Sequence, residues 1–245
     1  MEQQKTKNIA HRGFSGKYPE NTLLAFEKAL EEGVDGFEFD THLTRDGEIV
    51  IIHDERLDRT TDATGFVRDR TYAELCRVDA GKPFPEYGFQ KIPTLREYFE
   101  LVKGRDILTN IELKNGIYWY EGMEEKVIAM IREYHLEEQV ILSSFNHRSI
   151  LHCKQLAPEI RCGFLDFSWL ADAGEYTAAR GVEYYHPAFF TLDEETVREI
   201  HSRGVGINTW TVNEPEEIAR MFDLGVEAVI GNWPDRVNAL RRSRG

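Results

Sequence analysis

The stretch that decides the fold is residues 36–53, GFEFDTHLTRDGEIVIIH. Its first part alternates between two faces of a predicted strand, which places Glu38 and Asp40 on the same face. The turn at residues 44–47 contains Asp-Gly, a signal for a tight hairpin. The next run, 48–53, is therefore predicted to return antiparallel. Counting the register brings His53 back beside both carboxylates.

On either side of this hairpin, short β-rich runs alternate with helical patterns. The predicted strands are 8–11, 36–42, 48–53, 107–113, 139–144, 161–165, 182–185, 205–211 and 228–230. The predicted helices are 22–32, 95–102, 123–134, 148–156, 193–203 and 215–224. This alternation favours an α/β fold of the (β/α)8 barrel type over a doubly wound sheet. The ninth strand is the hairpin strand, which follows its predecessor too closely for a crossover helix.

Residues 55–92 interrupt this rhythm. They are rich in Asp, Arg, Thr, Gly and Pro, with one short predicted helix at 71–76. The segment is too long for a simple connecting loop without structure of its own, so we expect an insertion folded over the barrel mouth. The whole chain, 1–245, is predicted to be a single domain, since barrels of this size are routinely one domain. Residues 241–245 are predicted to be a solvated tail.

The composition excludes some classes of protein. A net charge of -13 argues against a nucleic-acid scaffold, although a metal and a few local cations could still bind an anionic substrate. The cysteines, Cys76, Cys153 and Cys162, are odd in number and lack metal-site spacing, which predicts free thiols in a reducing compartment. We see no signal peptide and no run long enough to span a bilayer. We therefore expect a cytoplasmic protein without stable membrane insertion.

Two runs carry carboxylates on one strand face. Glu38 and Asp40 on an inward face would repel each other unless a cation sat between them, and Mg²⁺ or Ca²⁺ uses such oxygen ligands. Asn110, Glu112 and Lys114 also share a face, which makes Glu112 a third candidate ligand and Lys114 a candidate phosphate-binding cation. The alternatives are ordinary acidic residues on an exposed strand and a Glu–Lys pair on a solvated strand.

Two histidines flank these carboxylates. His11 ends the first predicted strand, and the next residue, Arg12, offers a planar fork that matches the oxygens of a phosphate. A single histidine at a strand end is more often structural than catalytic. Because His11 and His53 lie on either side of the carboxylates, a functional interpretation is favoured for the pair.

Three further candidates are less specific. Trp210 stands at a strand end, where it forms either an apolar wall for a glycerol or head group or a core side chain. His186 also lies at a strand end and either lines the pocket or packs outside it. The aromatic run 118–120 is predicted to be a pocket lid or an oligomer contact, which leaves a homodimer open.

These residues form an ordered set that resembles the glycerophosphodiester phosphodiesterases, of the phospholipase-C-like phosphodiesterase superfamily. The matching motifs are His11-Arg12-Gly13, Pro19-Glu20-Asn21-Thr22, Glu38-Phe39-Asp40, His53-Asp54, Glu112-Leu113-Lys114 and Trp210-Thr211-Val212-Asn213. They extend over nearly the whole chain. The resemblance implies a distorted TIM barrel with a small insertion after the second histidine, and residues 55–92 look like that insertion.

The resemblance also implies roles for these residues. The ligands of a divalent cation, Mg²⁺ or Ca²⁺, would be Glu38, Asp40 and Glu112. The general acid and base would be His11 and His53. The phosphate would be held by Arg12 and Lys114. Trp210, from its place at a strand end rather than from the resemblance, is a further candidate substrate contact. The implied reaction converts a small-molecule glycerophosphodiester and water to an alcohol and sn-glycerol 3-phosphate.

One position departs from the family pattern. The family often ends its last strand with Thr-Asp-x-Pro, whereas residues 231–234 read Gly-Asn-Trp-Pro, with an amide at Asn232. We expect the metal site to persist and the barrel mouth to differ in shape or polarity. The order of proton transfers, the nucleophile and the head group stay open. The alternatives are a lysophospholipase D or sphingomyelinase-D-like activity, or a weakly catalytic glycerophosphodiester-binding protein.

Overall fold

The computed structural model describes residues 6–244, and its centre is a closed barrel of parallel strands. The strands are β1 Lys7–His11, β2 Gly36–Leu43, β3 Ile49–Ile51, β4 Leu108–Leu113, β5 Val140–Ser144, β6 Arg161–Asp166, β7 Tyr184–Pro187, β8 Gly206–Thr209 and β9 Ala228–Gly231. Parallel pairing runs from β2 through β4 to β9, and β1 pairs with both β9 and β2. The predicted distorted TIM barrel is confirmed.

Helices surround the barrel in alternation with its strands. They are α1 Leu23–Glu32, α2 Tyr72–Leu75, α3 Leu95–Val102, α4 Met123–Glu133, α5 His147–Leu156, α6 Ala173–Ala178, α7 Glu194–Ser202, α8 Pro215–Leu224 and α9 Pro234–Arg244. All six longer helices predicted from the sequence are present, with ends that differ by at most one residue. The sequence analysis missed α6, which is short, and α9, whose residues are mostly polar.

Helix α9 corrects part of the prediction of a solvated tail at 241–245, since Arg241 is held against the fold, whereas residues 242–244 are helical but exposed. The Arg241 guanidinium contacts the Asp35 carboxylate at 2.5 Å, and its side chain is only 10% exposed. One turn earlier, the Asn238 amide donates to the carbonyl of Glu32 at 2.8 Å. These polar contacts act together with the burial of Val237 in the main core and the packing of Leu240 against it, so the helix has few apolar positions and shows little apolar periodicity. Gly245 lies outside the described residues.

The hairpin forms with the predicted register. Strand β3 runs antiparallel to β2, and Thr41 stands opposite Ile51, which puts His53 level with Phe39. The tight turn needs Gly47, whose φ of 80° lies in the left-handed region that glycine adopts without steric cost. Strand β3 is shorter than predicted because it ends at Ile51, so that His53 lies in the loop that follows it.

An aromatic cluster outside the barrel determines which way β2 faces. Phe37 and Phe39 are fully buried against Phe26 of α1 and Tyr98 of α3. The ring centroids of Phe39 and Tyr98 are 4.4 Å apart. Because side chains alternate on a strand, burial of these two rings on the helix side turns Glu38 and Asp40 towards the barrel interior.

Residues 55–92 fold around a small core of their own. The predicted helix is present as α2, and Thr71 and Glu74 form a capping box at its start. The segment packs on the outer face of β3 through apolar side chains, namely Val50, Ile52, Leu57, Val67, Leu75, Ala80 and Ile92. Its extension over the barrel mouth and the single-domain boundary at 1–245 stay predictions.

Two further expectations concern thiols and membranes. The three cysteines are free, as predicted. Within residues 6–244, none of the helices combines the length and the apolar character that crossing a bilayer requires. The reducing compartment, the cytoplasmic location and the homodimer stay predictions.

Candidate active site

The predicted site residues come together at the carboxyl ends of the barrel strands. A pocket of about 70 Å³ opens there, and six of the eight predicted residues line it, namely His11, Arg12, Glu38, His53, Glu112 and Trp210. Asp40 is buried beside Arg12, with 3.3 Å between the carboxylate and the guanidinium. Lys114 lines an adjoining cleft that shares Glu112 with this pocket. This is the face of a barrel on which catalytic residues collect.

The three carboxylates form one buried cluster. Parallel pairing of β2 with β4 sets Asp40 level with Glu112, and Glu38 lies on the same face of β2. One oxygen from each of these residues lies within 4.8 Å of the others. Among the described residues, Glu38 Oε2 and Asp40 Oδ1 have no hydrogen-bond partner. Unpartnered buried carboxylate oxygens at this spacing fit a hard divalent cation.

The electrostatics of the cluster support the same conclusion. Burial, followed by the charges of Asp40 and Glu112, raises the pKa of Glu38 well above its usual value. Burial likewise raises the pKa of Glu112 to about 7. Burial also disfavours ionised Asp40, but the nearby Arg12, His53 and Lys114 hold its pKa well below the usual range. The described residues thus leave Glu38 and Glu112 without full compensation, which a divalent cation would supply.

Both predicted phosphate-binding cations are already bound to carboxylates. Arg12 Nη1 donates to Glu20 at 2.9 Å. Lys114 Nζ lies 3.0 Å from Glu112 Oε1 and 3.8 Å from Asp40 Oδ1. These partners fix the two cations at the edge of the pocket, where both could also contact an anion.

His11 is held between an amide and a carboxylate. Its Nδ1 lies 2.5 Å from Asn232 Oδ1, and its Nε2 lies 3.7 Å from Glu38 Oε2. An Nδ1–H that donates to the amide oxygen leaves the lone pair of Nε2 facing the carboxylate cluster. Burial, together with the nearby Arg12, lowers the pKa of His11 to about 3, so the ring is neutral.

Asn232 is the main functional residue whose role the sequence analysis missed. We expected its amide to alter the shape or polarity of the barrel mouth, whereas the structure places it against the ring of His11. Two backbone hydrogen bonds fix it. Its N–H donates to Asn213 Oδ1 at 2.8 Å, and its carbonyl accepts from the N–H of Gly16 at 2.9 Å. The departure from the family motif was the available signal, but it did not identify the partner.

His53 has a different kind of partner. Its Nδ1 lies 2.6 Å from Asp54 Oδ1, and its Nε2 lies 3.3 Å from Lys114 Nζ. Burial opposes ionisation of Asp54, but hydrogen bonds from Arg59 and His53 lower its pKa to about 2. Arg59 also donates twice to Glu20, at 2.8 and 2.9 Å. A carboxylate therefore orients His53, whereas an amide orients His11.

Two asparagines also contribute to the site. Asn21 Nδ2 donates to Asp40 Oδ2 at 3.0 Å. The next residue, Thr22, caps α1 with a hydroxyl that accepts from the N–H of Ala25. Asn110 lines the pocket, and its side-chain amide has no partner among the described residues. Its place on the same face as Glu112 was predicted, but its role was not.

The structure shows which of the less specific candidates line the pocket. Trp210 lines the pocket, and its indole N–H donates to the carbonyl of His186 at 2.8 Å. His186 itself is fully buried against Asn208 and is absent from the pocket lining, so of its two alternatives the structure supports packing outside the pocket. In the run 118–120, Tyr120 is buried and hydrogen-bonds to a histidine of β2, while Trp119 is 61% exposed.

The chain resembles known proteins along nearly its whole length. The model of the glycerophosphoryl diester phosphodiesterase family matches residues 11–236. A glycerophosphodiester phosphodiesterase of Caldanaerobacter subterraneus subsp. tengcongensis is 44% identical, with 98% of this chain and 100% of the relative covered. A Bacillus altitudinis protein of the same name is 42% identical, with 96% and 98% covered.

Solved structures agree with this match. A putative glycerophosphoryl diester phosphodiesterase from Silicibacter pomeroyi DSS-3 has a TM-score of 0.91 at 29% identity, with 99% of this chain and 95% of that chain covered. A phosphodiesterase from Oleispira antarctica, solved with the product sn-glycerol-3-phosphate, has a TM-score of 0.87 at 31% identity, with 97% of each chain covered. The chain therefore belongs to the glycerophosphoryl diester phosphodiesterase family.

Proposed function

We propose that this protein hydrolyses glycerophosphodiesters to an alcohol and sn-glycerol 3-phosphate. The observation that carries the proposal is the buried cluster of Glu38, Asp40 and Glu112, whose oxygens lie within 4.8 Å of one another between two histidines. The product bound to the Oleispira antarctica phosphodiesterase supports the assignment of the substrate.

The cluster would hold a divalent cation, Mg²⁺ or Ca²⁺, which would polarise the oxygens of the phosphate when bound. Arg12 and Lys114 then bind the anionic substrate from the edge of the pocket. Trp210 offers an apolar wall to the glycerol or the head group.

The two histidines share the proton transfers. The Nδ1 of each ring is occupied by Asn232 or Asp54, so the Nε2 of each ring faces the pocket. A carboxylate stabilises an imidazolium better than an amide does. We therefore assign His11 as the base that takes a proton from the attacking oxygen, and His53 as the acid that protonates the leaving alkoxide.

Leaving-group rescue tests this assignment. His11→Ala and His53→Ala should each lower kcat on glycerophosphocholine by about 10²–10⁴-fold. With glycerol p-nitrophenyl phosphate, whose leaving group needs no acid, His53→Ala should recover most of the lost rate and His11→Ala should not. Recovery of His11→Ala alone would reverse the assignment, and near-wild-type turnover of either variant would remove it. His152→Ala, on the outer surface of α5, is the matched control.

A substrate panel tests the function itself. Glycerophosphocholine, glycerophosphoethanolamine and glycerophosphoglycerol would each be incubated with chelated enzyme, and then with Mg²⁺, Mn²⁺ or Ca²⁺ restored. We expect release of sn-glycerol 3-phosphate only with a metal. Full activity after rigorous chelation would refute the metal requirement. Stoichiometric binding without turnover of any substrate would favour the weakly catalytic binding protein instead.

A further inference from the structure

A fully buried histidine of β2, His42, contacts the backbone of the proposed acid His53. His42 shares a face of β2 with Asp40, because side chains two positions apart lie on the same face of a strand. It is absent from the lining of both the pocket and the adjoining cleft. It therefore does not touch a substrate, and the proton transfers assigned above do not use it.

The contact supplies a backbone hydrogen bond that the sheet does not. Strand β3 ends at Ile51, and the N–H of Ile52 still donates to the carbonyl of Asp40 at 3.1 Å. His53 lies beyond this point, and no backbone N–H within residues 6–244 donates to its carbonyl. The Nε2 of His42 lies 3.1 Å from that oxygen. A side chain of β2 thus fixes the backbone at His53, where the β ladder has already ended.

The two partners of His42 determine which nitrogen carries its proton. A carbonyl only accepts, so the Nε2 of His42 carries the hydrogen that it donates to His53. Burial lowers the pKa of His42 to about 4, so the ring is neutral and its Nδ1 accepts. The donor to Nδ1 is the hydroxyl of Tyr120, at 3.0 Å, and the two rings meet edge to face. Both nitrogens are therefore satisfied, and the ring has one orientation.

The loop after β4 reaches His53 by two routes. It begins at Lys114, whose Nζ lies 3.3 Å from the Nε2 of His53, and it also carries Tyr120. The insertion holds the middle of this loop, because the guanidinium of Arg68 stacks on the ring of Tyr118, with 3.6 Å between Cζ and the ring centroid. The loop thus contacts the pocket-facing nitrogen of His53 directly and its backbone through the buried histidine.

We propose that His42, held by Tyr120, is a positioning residue that sets the place of His53 for proton transfer; this rests on the proposed function. Asp54 binds the Nδ1 of His53 and fixes the direction of the ring, whereas His42 fixes the backbone from which the ring projects. Proton transfer depends steeply on the distance between the ring and the reacting oxygen. Loss of the backbone contact should therefore lower the rate even while Asp54 stays bound.

Two substitutions separate the two hydrogen bonds of His42. In His42→Gln the amide nitrogen can take the place of Nε2 and donate to the carbonyl of His53, whereas the shorter side chain of His42→Asn reaches only the place of Nδ1. With metal and glycerophosphocholine, His42→Asn should lower kcat about 10–100-fold with little change in KM, and His42→Gln should keep most of the rate. Tyr120→Phe should lower kcat less than His42→Asn, because the ring can still donate to the carbonyl.

His147 offers a matched control. Its Nδ1 lies 2.9 Å from the hydroxyl of Tyr176, and its Nε2 lies 2.9 Å from the carbonyl of Leu165. Leu165 lines the pocket but has no proton to transfer, so His147→Asn controls for a general disturbance of the pocket wall. It should lower the unfolding temperature about as much as His42→Asn does and keep its kcat.

A double-mutant cycle shows whether His42 acts through His53. If it does, His42→Asn should lower kcat little in a His53→Ala background, because the group that it positions is already absent. A second readout does not depend on turnover. In a crystal structure of His42→Asn, the ring of His53 should have moved away from Lys114 Nζ, which lies 3.3 Å from its Nε2 in the wild type.

Four results would overturn the proposal. They are an unchanged kcat in His42→Asn, equal losses of kcat in His42→Asn and His147→Asn, losses that multiply in the cycle, and an unmoved His53 ring in the crystal structure. If the wild type cleaves glycerophosphocholine and any of these is found, this inference alone fails. If the wild type cleaves no glycerophosphodiester with metal present, the proposed function fails, and the crystal structure still decides whether His42 positions His53.

Discussion

The carboxylate cluster makes a quantitative prediction about stability in the absence of metal. Glu112 is buried on β4, and burial, with repulsion from Asp40, outweighs the attraction of Lys114 and raises its pKa from 4.5 to about 7. When the pKa of an acidic group is higher in the folded than in the unfolded state, the folded protein loses stability as the pH rises from the unfolded pKa to the folded pKa. A rise of this size corresponds to about 3 kcal/mol of lost stability once the pH exceeds about 7.

Replacement of Glu112 by Gln removes this charge and keeps the shape of the side chain. Lys114 keeps Asp40 as a partner at 3.8 Å. In chelator at about pH 8, the variant should therefore unfold at a higher temperature than the wild type, by about 6–12 °C for a chain of this size. At about pH 4.5 the difference should be small, because the carboxyl is then protonated in the folded state and only half ionised in the unfolded state.

Scanning calorimetry in EDTA across this pH range measures the effect. Glu216→Gln, on the exposed surface of α8, controls for the change of one net charge. Addition of Ca²⁺ or Mg²⁺ should stabilise the wild type at the higher pH and do little for the variant, since it lacks one ligand. Parallel pH curves for the two proteins, or a variant less stable than the wild type at the higher pH, would refute the reasoning.

Three smaller predictions follow from other contacts. Asn232→Leu should lower kcat by roughly 10–100-fold with little change in KM, and Asn232→Asp should restore most of the rate, both measured with glycerophosphocholine. Arg241→Ala removes the ion pair with Asp35 and should cost about 1–3 kcal/mol in urea unfolding, whereas Arg242→Ala should cost little. The hydrogen bond that the ring of His201 donates to the Glu227 carboxylate raises the pKa of His201, so its stabilisation is present at low pH and is lost at high pH. His201→Asn should therefore cost about 0.5 kcal/mol at about pH 5.5 and nothing at about pH 9.

Local pattern was enough to predict the half of the site that lies on the hairpin. Alternation on β2 turned Glu38 and Asp40 inward, and the Asp-Gly turn returned His53 to them with the correct register. Both signals depend on residues only a few positions apart, where strand geometry leaves little freedom. The barrel class followed in the same way, from repeated local alternation of strand and helix patterns.

Contacts between distant parts of the chain could not be predicted in this way. The hydrogen bond between His11 and Asn232 joins residues 221 positions apart and exists only because β9 pairs with β1. The motif comparison marked Asn232 as unusual but gave no direction for its side chain. Helix α9 was missed for a related reason, since it combines few apolar contacts, chiefly that of Val237, with single polar contacts such as that of Arg241, which leave little periodic pattern in the sequence.

The pairing of the first and last strands has a consequence for how the protein is made. Once residues up to Glu112 have emerged from the ribosome, the nascent chain already contains all three carboxylates and both histidines. Yet His11 has no acceptor for its Nδ1 proton until Asn232 emerges and β9 takes its place beside β1. A chain that has not yet reached Asn232 would hold the ligands of the metal without the oriented ring, so the site becomes complete only after residues up to Asn232 have been made.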